Sequence, residues 1–283
     1  MKKILFTGKN GQLSTAICAW LKNEHGLAAE QISLRDNAWE TNDFSDFDTV
    51  IHVAGIVPKD GIEDDKFYEL NYRLTEKFAE KVKKDGVKHF IYLSSMAVYG
   101  IEPQTDAVKG TVNENTPCKP LSAYGESKLL AEESLRRLSD EQFKVSVIRV
   151  PSIYGKDKTE YLDQYKHIAS KFRKIPKAFT DKYKSMIYID NLCELIYLIV
   201  VNKKYGIICP DDGQISAFDI CRAIAPQKKA SKLLGIVLLL IKNNARVKDY
   251  FGAVCYSKKL TDEFGGQYRV CDYREAIKQS YER

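Results

Sequence analysis

The sequence of 283 residues contains no apolar run long enough to cross a membrane. A spanning helix needs about 20 such residues, and the strongest candidate, Leu233 to Ile241, is about half that length. We predict that this segment is a buried helix, with a surface that contacts a membrane or a partner protein as the alternative. At the N-terminus, the apolar run Ile4 to Phe6 is too short for a signal peptide, and glycines follow it. We therefore expect a cytoplasmic protein without stable membrane insertion.

The sequence also lacks closely spaced cysteines and a large excess of positive or negative charge. The seven cysteines are scattered, and no two of them are spaced as CxxC. We therefore predict no metal site and no disulfide framework, but reduced, mostly buried cysteines. The 44 lysines and arginines exceed the 38 aspartates and glutamates by only 6. That balance suits an anionic small molecule and does not indicate a nucleic-acid partner.

Hydrophobic residues make up 44% of the chain, which is enough to build a core and excludes a disordered chain. Apolar strands alternate with helical patterns through the first half. The predicted strands are Lys3 to Thr7, Gln31 to Arg35, Thr49 to Val53, His89 to Leu93 and Lys144 to Val150. The predicted helices are Gly11 to Asn23, Phe67 to Asp85 closed by Gly86, and Ser122 to Leu138 with Ser122 as N-cap. This alternation predicts an α/β fold with a mostly parallel sheet and helices on both faces.

A glycine-rich turn follows the first predicted strand and opens the first helix. In Thr7-Gly8-Lys9-Asn10-Gly11-Gln12-Leu13-Ser14, the first glycine permits a tight turn and the second lets the backbone approach a pyrophosphate. The helix N-terminus favours the negative charge of that group. Ser14 replaces the usual third glycine and is small enough for close packing of helix on strand. The turn therefore indicates a dinucleotide site in a Rossmann-type, doubly wound sheet.

The end of the second predicted strand offers two residues that could select the adenosine half of the dinucleotide. Asp36 could accept hydrogen bonds from a ribose 2′-hydroxyl, which favours NAD, and Arg35 could hold a 2′-phosphate, which favours NADP. A solvated loop pair is the alternative for both residues. The sequence leaves NAD and NADP open.

A serine, a tyrosine and a lysine stand in the order of a second pattern. Ser95 follows the strand at 89–93, and Tyr124 and Lys128 are spaced i, i+4 on a predicted helix, which places them on one face. A phenol titrates near ~10, and a neighbouring ammonium together with a positively charged nicotinamide lowers that pKa and makes the tyrosine a usable acid/base at neutral pH. Ser95 can bind the substrate oxygen that gains or loses the proton.

These motifs resemble the extended short-chain dehydrogenases/reductases of the NAD-dependent epimerase/dehydratase family. The chain is similar to nucleotide-sugar 4-epimerases, such as UDP-glucose 4-epimerases of polysaccharide biosynthesis, and to 4-keto-sugar reductases. The matching segments are Thr7 to Ser14, Val50 to Gly55, Glu69 to Glu76, Phe90 to Gly100, Ser122 to Lys128, Ile148 to Gly155 and Met186 to Leu192. The last third of the chain matches only loosely.

The resemblance implies that Tyr124 is the acid/base, Lys128 its electrostatic partner and ribose ligand, and Ser95 the second catalytic hydroxyl. The candidate cofactor-binding residues are Gly8, Asn10, Gly11, Gln12, Leu13, Arg35, Asp36, Ala54, Gly55, Asn71, Lys128 and Pro151. The candidate substrate-binding residues are Ser95, Ser152, Lys184 and Arg246. For Lys184, a solvated charge in a basic loop is the alternative. Two further interpretations are a structural amide for Asn71, which would order the backbone near the cofactor, and a core histidine for His52.

Three departures from the family pattern bear on the reaction. Met96 and Ala97 stand where sugar 4,6-dehydratases carry an Asp-Glu pair, which argues against dehydration. Ser152 replaces an asparagine found in many epimerases, and Gly11 to Leu13 (GQL) resembles 4-keto-sugar reductases. An NAD(P)-dependent nucleotide-sugar 4-epimerase is therefore the first hypothesis, a 4-keto-sugar reductase the second, and a non-catalytic dinucleotide sensor the third.

After Gly155 the chain becomes polar, basic and aromatic, with weak periodicity to Tyr183, before an apolar helix at 187–201. We predict an NAD(P)-binding domain over 1–155, with 186–210 returning to it, and a smaller substrate-binding region over 156–283. The cations and aromatics of Lys166 to Lys184 could bind RNA or a membrane, since aromatic residues among cations can serve single strands, but we interpret them as a phosphate site and solvated surface. A homodimer through the helices at 67–85 and 122–138 is what the family suggests.

Overall fold

The computed structural model describes residues 3–106, 108–156 and 160–281, which form two compact units. The first unit contains Met1–Gly100, Pro117–Val150 and Cys193–Cys209, and the second contains Ile101–Thr116, Pro151–Leu192 and Pro210–Arg283. Residues 101–116 and 151–155 thus belong to the second unit, whereas the sequence analysis places them in the NAD(P)-binding domain over 1–155.

The strands in chain order are β1 Lys3–Thr7, β2 Ala29–Ile32, β3 Phe47–His52, β4 His89–Ser95, β5 Thr111–Val112, β6 Lys144–Val150, β7 Ser152–Tyr154, β8 Ile175–Pro176, β9 Tyr183–Lys184, β10 Met186–Tyr188, β11 Gly206–Ile208, β12 Ile215–Ser216, β13 Ala230–Ser231 and β14 Cys255–Tyr256. The helices are α1 Gln12–His25, α2 Asp64–Phe67, α3 Leu74–Lys84, α4 Ala123–Leu138, α5 Glu160–Lys171, α6 Ile189–Asn202, α7 Ala217–Ile224, α8 Lys232–Leu240, α9 Ala245–Phe251, α10 Lys258–Thr261 and α11 Tyr273–Gln279. A π-helical turn, Tyr68–Arg73, joins α2 to α3.

The first unit is built on a six-stranded sheet in the order β11-β6-β4-β3-β1-β2. Every neighbouring pair in this sheet is parallel, which confirms the predicted fold class. The central strands are buried over nearly their whole length, as the apolar runs in the sequence predict for a parallel sheet. Because all strands run the same way, the residues that follow β1, β3 and β4 leave the sheet at one edge.

Local sequence signals set most boundaries in the first unit. Ser122 accepts a hydrogen bond from the Gly125 amide at 3.1 Å, which confirms it as the N-cap of α4. The second strand was predicted wrongly at 31–35. It ends at Ile32, because the Ser33 hydroxyl accepts from the Arg35 amide and Asp36 caps a short 3₁₀ turn. These side chain-to-backbone bonds compete successfully with strand pairing.

His52 is a fully satisfied core residue, as predicted. Thr7 Oγ1 accepts from the Ala54 amide and can therefore donate to His52 Nδ1 at 3.1 Å. His52 Nε2 then donates to Thr75 Oγ1 at 2.9 Å, and Thr75 donates to the Asn71 carbonyl. Burial lowers the pKa of the imidazole to about 3. The neutral ring thus links β1 and β3 to the π turn.

His52 is expected to make the first unit labile to acid. The unfolded chain takes up a proton near pH 6.5, and the folded chain does so only near pH 3, so stability is full above 6.5 and is lost as the pH falls. This residue alone should lower the free energy of unfolding by about 2 kcal/mol between pH 7 and pH 5. Urea unfolding of His52→Phe should show a smaller decrease, whereas the variant of the exposed His167, His167→Gln, should match the parent. Equal pH slopes for His52→Phe and the parent would contradict the assignment.

Small two-stranded sheets and short helices make up the second unit. The strand pairs are β10-β7, β12-β9, β13-β8 and β14-β5. Helix α5 lies in the segment predicted to have only weak periodicity, of which residues 157–159 lie outside the described residues. Its buried face is Leu162, Tyr165, Ile168 and Ala169, an i, i+3, i+6, i+7 pattern. Tyr165 belongs to the core here, and counting it as apolar is the signal that would have found this helix.

The prediction of a buried helix at 233–241 is wrong. A helix forms at Lys232–Leu240, but within it only Gly235 is fully buried. Leu240 remains 80% exposed and Leu233 72% exposed. The apolar composition of the segment makes its contact with water unfavourable. Whether other parts of the protein cover the segment depends on the tertiary structure. Among the described residues, no helix is both long enough and apolar enough to cross a membrane.

The seven cysteines, all within the part of the chain that the structure describes, form no disulfide, and Cys193, Cys209, Cys221 and Cys255 are buried. This agrees with the prediction of reduced, mostly buried cysteines. Burial raises the pKa of the Cys221 and Cys255 thiols, which keeps them protonated and unreactive at neutral pH.

Candidate active site

The glycine-rich turn between β1 and α1 is closed by Ser14. Its hydroxyl donates to the carbonyls of Gly8 and Gly11, at 2.5 and 3.0 Å. Gly8 has φ +92° and Asn10 has φ +67°, both in the left-handed region that the tight turn requires. Ser14 therefore performs a bonding role that a third glycine could not, while it is small enough to let the helix approach the strand.

The turn fits the pyrophosphate of a dinucleotide. Gly11 is the extended N-cap of the 14-residue helix α1, and it has no side chain to bind the first amides of the helix. The amides of Gln12 and Leu13 thus belong to the electropositive end of α1, where an anion is favoured. Gly8, Asn10, Gly11, Gln12 and Leu13 are the residues that would hold this part of the cofactor.

Arg35 and Asp36 are both exposed beyond the end of β2. One carboxylate oxygen of Asp36 accepts from the Ala38 amide at 3.2 Å and caps the following turn. The structure thus gives Asp36 a local structural role in addition to its predicted contact with a ribose.

Asn71, in the π turn, holds the backbone that follows β3. Its Oδ1 accepts from the Ile56 amide at 2.7 Å, and its Nδ2 donates to the Ile56 carbonyl at 3.0 Å and to Ser127 Oγ at 3.3 Å. A Cβ on Gly55 would lie 2.7 Å from Asn71 Oδ1, so the close approach of Ala54 and Gly55 to this amide requires glycine. The interpretation of Asn71 as a structural amide fits these contacts.

Ser95 and Tyr124 meet at the carboxyl end of β4. Ser95 is the last residue of β4, its Oγ accepts from the Ala97 amide at 3.1 Å, and its hydroxyl lies close enough to the Tyr124 phenol to influence the pKa of that group. Helix α4 comes close enough for this contact because Gly125 has no side chain. A Cβ there would lie 2.7 Å from the Ala97 carbonyl oxygen. The Tyr124 ring packs edge-on against Phe67, with centroids 5.9 Å apart.

Lys128 lies one helical turn after Tyr124 and is buried. Its Nζ donates to the Leu93 carbonyl at 2.9 Å and lies 4.8 Å from the centre of the Tyr92 ring. A Cβ on Gly55 would be 3.6 Å from this amine, so the ammonium faces the backbone that follows β3. Burial lowers the pKa of Lys128 to about 8, against the attraction of Glu132.

The expectation that Lys128 lowers the pKa of Tyr124 is not met. Burial raises the pKa of the phenol and outweighs the effect of the nearby Ser95 hydroxyl, which acts in the opposite direction. Lys128 instead directs its ammonium to the Leu93 carbonyl. In this structure Tyr124 is therefore a protonated phenol, suited to donate a proton to an oxygen placed beside Ser95.

Replacing Lys128 with methionine is expected to stabilise the fold. The buried ammonium costs stability below pH 8, and the cost is relieved as the pH rises from about 8 towards 10.5, because the folded chain releases its proton first. Lys128→Met should raise the free energy of unfolding at pH 7 by about 1–3 kcal/mol. The gain should shrink by pH 10 in urea titrations. Lys22→Met, at an exposed position of α1, is the control. A gain independent of pH would argue against the charge as its cause.

Sequence reasoning missed Glu132, which continues the series after Tyr124 and Lys128 at a further four residues. It is buried and receives bonds from Arg149 Nη2 at 2.6 Å and Nε at 3.1 Å. The Ser94 hydroxyl bonds the same carboxylate. The i, i+4, i+8 spacing on one helix was the available signal. This ion pair anchors α4 to β4 and β6, the strands that carry the candidate site.

The remaining predicted site residues belong to the second unit. Pro151 is buried, and Ser152 is exposed at the start of β7, which pairs with β10. Lys184 is buried rather than solvated, and it donates to the Asp249 carbonyl at 3.0 Å, with its pKa lowered by burial to about 8. Arg246 is exposed on α9. The roles of these four residues in binding cofactor or substrate remain predictions.

Comparisons with known proteins agree with this arrangement. The model of the NAD dependent epimerase/dehydratase family matches residues 4–207. The N-acetyl-α-D-glucosaminyl-diphospho-ditrans,octacis-undecaprenol 4-epimerase of Escherichia coli O157:H7 is 32% identical over 164 residues, 56% of this chain and 47% of the relative. The matched part of the chain spans less than half the length of the first curated relatives.

Two solved structures share the fold over almost the whole chain. The UDP-glucuronic acid 4-epimerase from Bacillus cereus in complex with NAD has a TM-score of 0.66 at 19% identity and covers 99% of this chain and 95% of its own. A dTDP-4-dehydrorhamnose reductase from Clostridium acetobutylicum has a TM-score of 0.64 at 18% identity, with 98% of each chain covered. At these identities they show the fold alone. Because the family model spans more than half of the sequence, this chain belongs to the NAD dependent epimerase/dehydratase family.

Proposed function

We propose that this protein is an NAD(P)-dependent epimerase that inverts C4 of a sugar carried on a diphosphate, with Tyr124 as its acid/base. The observation that carries the proposal is the proximity of the Tyr124 phenol to the Ser95 hydroxyl, with buried Lys128 one turn further along α4. The relatives support the substrate class, since the relative from Escherichia coli is named for a sugar on a diphosphate and others are named UDP-glucose 4-epimerases.

The residues of the first unit divide the chemistry among them. Bound NAD(P) supplies the hydride acceptor and donor at C4. The positive charge of a bound oxidised nicotinamide would lower the pKa of Tyr124. Its phenolate would then accept the proton of the C4 hydroxyl as the sugar is oxidised, and the phenol would return a proton as the ketone is reduced. Ser95 orients that oxygen by a hydrogen bond, and Lys128 places a cation beside the backbone at Gly55, where the ribose is expected. Turning the 4-keto sugar between the two steps exposes its other face.

A 4-keto-sugar reductase is the second candidate, favoured by the Gly11 to Leu13 segment and by the shared fold of the reductase from Clostridium acetobutylicum. Tyr124 would then protonate the oxygen once, and the oxidised cofactor would leave. Dehydration is not proposed, because Met96 and Ala97 form an uncharged 3₁₀ turn directly after Ser95. A non-catalytic sensor would have no use for the three clustered catalytic side chains.

The cofactor balance distinguishes these functions. The purified protein would be incubated with UDP-glucose or UDP-N-acetylglucosamine and NAD⁺, and the products separated, while absorbance at the NAD(P)H band is followed. Epimerisation predicts a C4 epimer without net change in NAD(P)H, whereas reduction predicts stoichiometric oxidation of NAD(P)H by a 4-keto sugar nucleotide. Mass spectrometry of co-purifying ligands would identify NAD or NADP. A protein that binds the dinucleotide but neither epimerises the UDP-sugars with NAD⁺ nor reduces a 4-keto sugar nucleotide with NAD(P)H would contradict both catalytic proposals.

A further inference from the structure

Helix α8 presents an apolar surface to solvent in the second unit. Its exposed side chains, with those that follow it, are Leu233, Ile236, Val237, Leu239, Leu240 and Ile241. Isolated apolar residues on a surface need no explanation, but a contiguous patch of this kind marks an interaction site.

A close backbone contact fixes which side of α8 faces the unit. Gly235 packs so tightly on the segment after β8 that a Cβ would lie 2.1 Å from the Lys177 carbonyl oxygen. The Ser231 hydroxyl accepts from the Leu234 amide and caps the helix, and β13 pairs with β8 just before it. The helix is thus held through its only glycine, with Leu234 and Leu238 half-buried beside it, and the other apolar side chains of the helix remain exposed.

The chain segment that contains α8 carries charge of one sign. Between Asp219 and Asp249 the chain carries seven lysines and arginines and no aspartate or glutamate. Lys228 is used within the fold, because it donates to the carbonyls of Ala169 and Phe172. Lys229, Lys232 and Lys242 are exposed at the two ends of α8.

A basic hollow opens beside the same helix. It has a volume of about 510 Å³, and Leu239 lies at its edge. Its cationic side chains are Lys177, Lys182, Lys232 and Lys242, and Asp181, its one acidic residue, pairs with Lys182 at 2.5 Å. The other three lysines, Lys177, Lys232 and Lys242, could therefore bind a group that carries a phosphate.

We propose that α8 and this hollow form a site that binds the surface of an anionic phospholipid membrane. A nine-residue helix is too short to span a bilayer but can lie in the interface with its apolar side among the acyl chains. The flanking lysines then reach the lipid phosphates, with the hollow beside Leu239 receiving a headgroup. A second copy of the chain would place these unopposed cations against each other, which disfavours it as the occupant.

Vesicle sedimentation tests the proposal with the whole protein. We expect binding to vesicles of phosphatidylcholine with phosphatidylglycerol, weaker binding to phosphatidylcholine alone, and loss of the difference at high salt. Leu240→Glu should weaken binding at least ~10-fold, because it removes an inserted side chain and adds repulsion. Lys232→Gln and Lys242→Gln should each weaken binding roughly fivefold.

The matched control is Val108→Glu, since Val108 is 83% exposed and lies outside α8. It should bind like the parent, and all variants should keep parental circular dichroism and turnover of a soluble sugar nucleotide. Three outcomes would overturn the proposal: no vesicle binding, binding that does not distinguish the two vesicle types, or equal loss in Val108→Glu. A dimer that Leu240→Glu dissociates, without vesicle binding, would identify a second copy as the occupant instead.

Discussion

Replacing Tyr124 with phenylalanine is expected to lower kcat by about 10²–10⁴-fold, the usual contribution of a positioned acid/base. The substitution removes one oxygen and leaves the ring against Phe67. Because the proposed cofactor contacts come from the turn at 8–13, from Gly55 and from Lys128, NAD(P) affinity should stay near that of the parent. Steady-state kinetics and fluorescence titration with the cofactor measure the two effects separately.

Tyr68→Phe is the control for losing a phenol in the same region. Tyr68 donates to Glu126 at 2.7 Å near the start of α4, but no catalytic role is assigned to it. Its variant should keep kcat within a few-fold of the parent. If Tyr124→Phe turned over at the parental rate, Tyr124 would not be the acid/base. If it lost cofactor affinity as strongly as activity, the phenol would be a binding group.

Replacing Glu132 with alanine is expected to destabilise the protein by about 3–5 kcal/mol, because it leaves the Arg149 guanidinium buried without its carboxylate. The pair has three bonds, of 2.6, 3.1 and 3.2 Å, and both side chains are more than 90% buried. Arg149 Nη1 also donates to the Tyr99 phenol at 2.8 Å, but a neutral phenol cannot neutralise the charge. Urea unfolding at pH 7 measures the loss.

A double variant separates an uncompensated charge from a general packing defect. Glu132→Leu with Arg149→Met removes both charges and should recover most of the stability, since buried ion pairs are often replaceable by apolar residues of similar size. Glu133→Ala, at the neighbouring, partly exposed position, should change the free energy of unfolding by less than about 0.5 kcal/mol. If the double variant were as unstable as Glu132→Ala, the loss of stability would be due to packing and not to the uncompensated charge.

The candidate site was predictable where chemistry depends on local spacing. The turn at 8–14 is recognisable because its glycines must follow a strand and precede a helix, and Tyr124 and Lys128 share a face because four residues make about one helical turn. The direction of the Tyr124 pKa was not predictable in the same way. It depends on how deeply the phenol is buried and on where the Lys128 ammonium points, and a carbonyl from β4 decides the second.

The burial and partners of Glu132 and Lys184 could not be predicted from the sequence either, because they also depend on contacts between distant segments. In the sequence, Glu132 is one of several charged residues on a predicted helix. In the structure, Arg149 of β6 forms a buried ion pair with it. Lys184 reads as a surface cation in a basic segment, but the pairing of β9 with β12 buries it. Burial changes the energy of a charge far more than its sequence neighbours do.

Periodicity and turn chemistry in the chain alone are enough to predict the strands and helices of the parallel sheet, the glycine-rich turn and the shared helical face of Tyr124 and Lys128, because these depend on the local spacing of residue types. The tertiary structure alone decided which ionisable groups are buried, and that the apolar helix at Lys232–Leu240 faces solvent. Hydrophobicity states the cost of contact with water, but whether a surface is covered depends on what distant segments of the chain place against it.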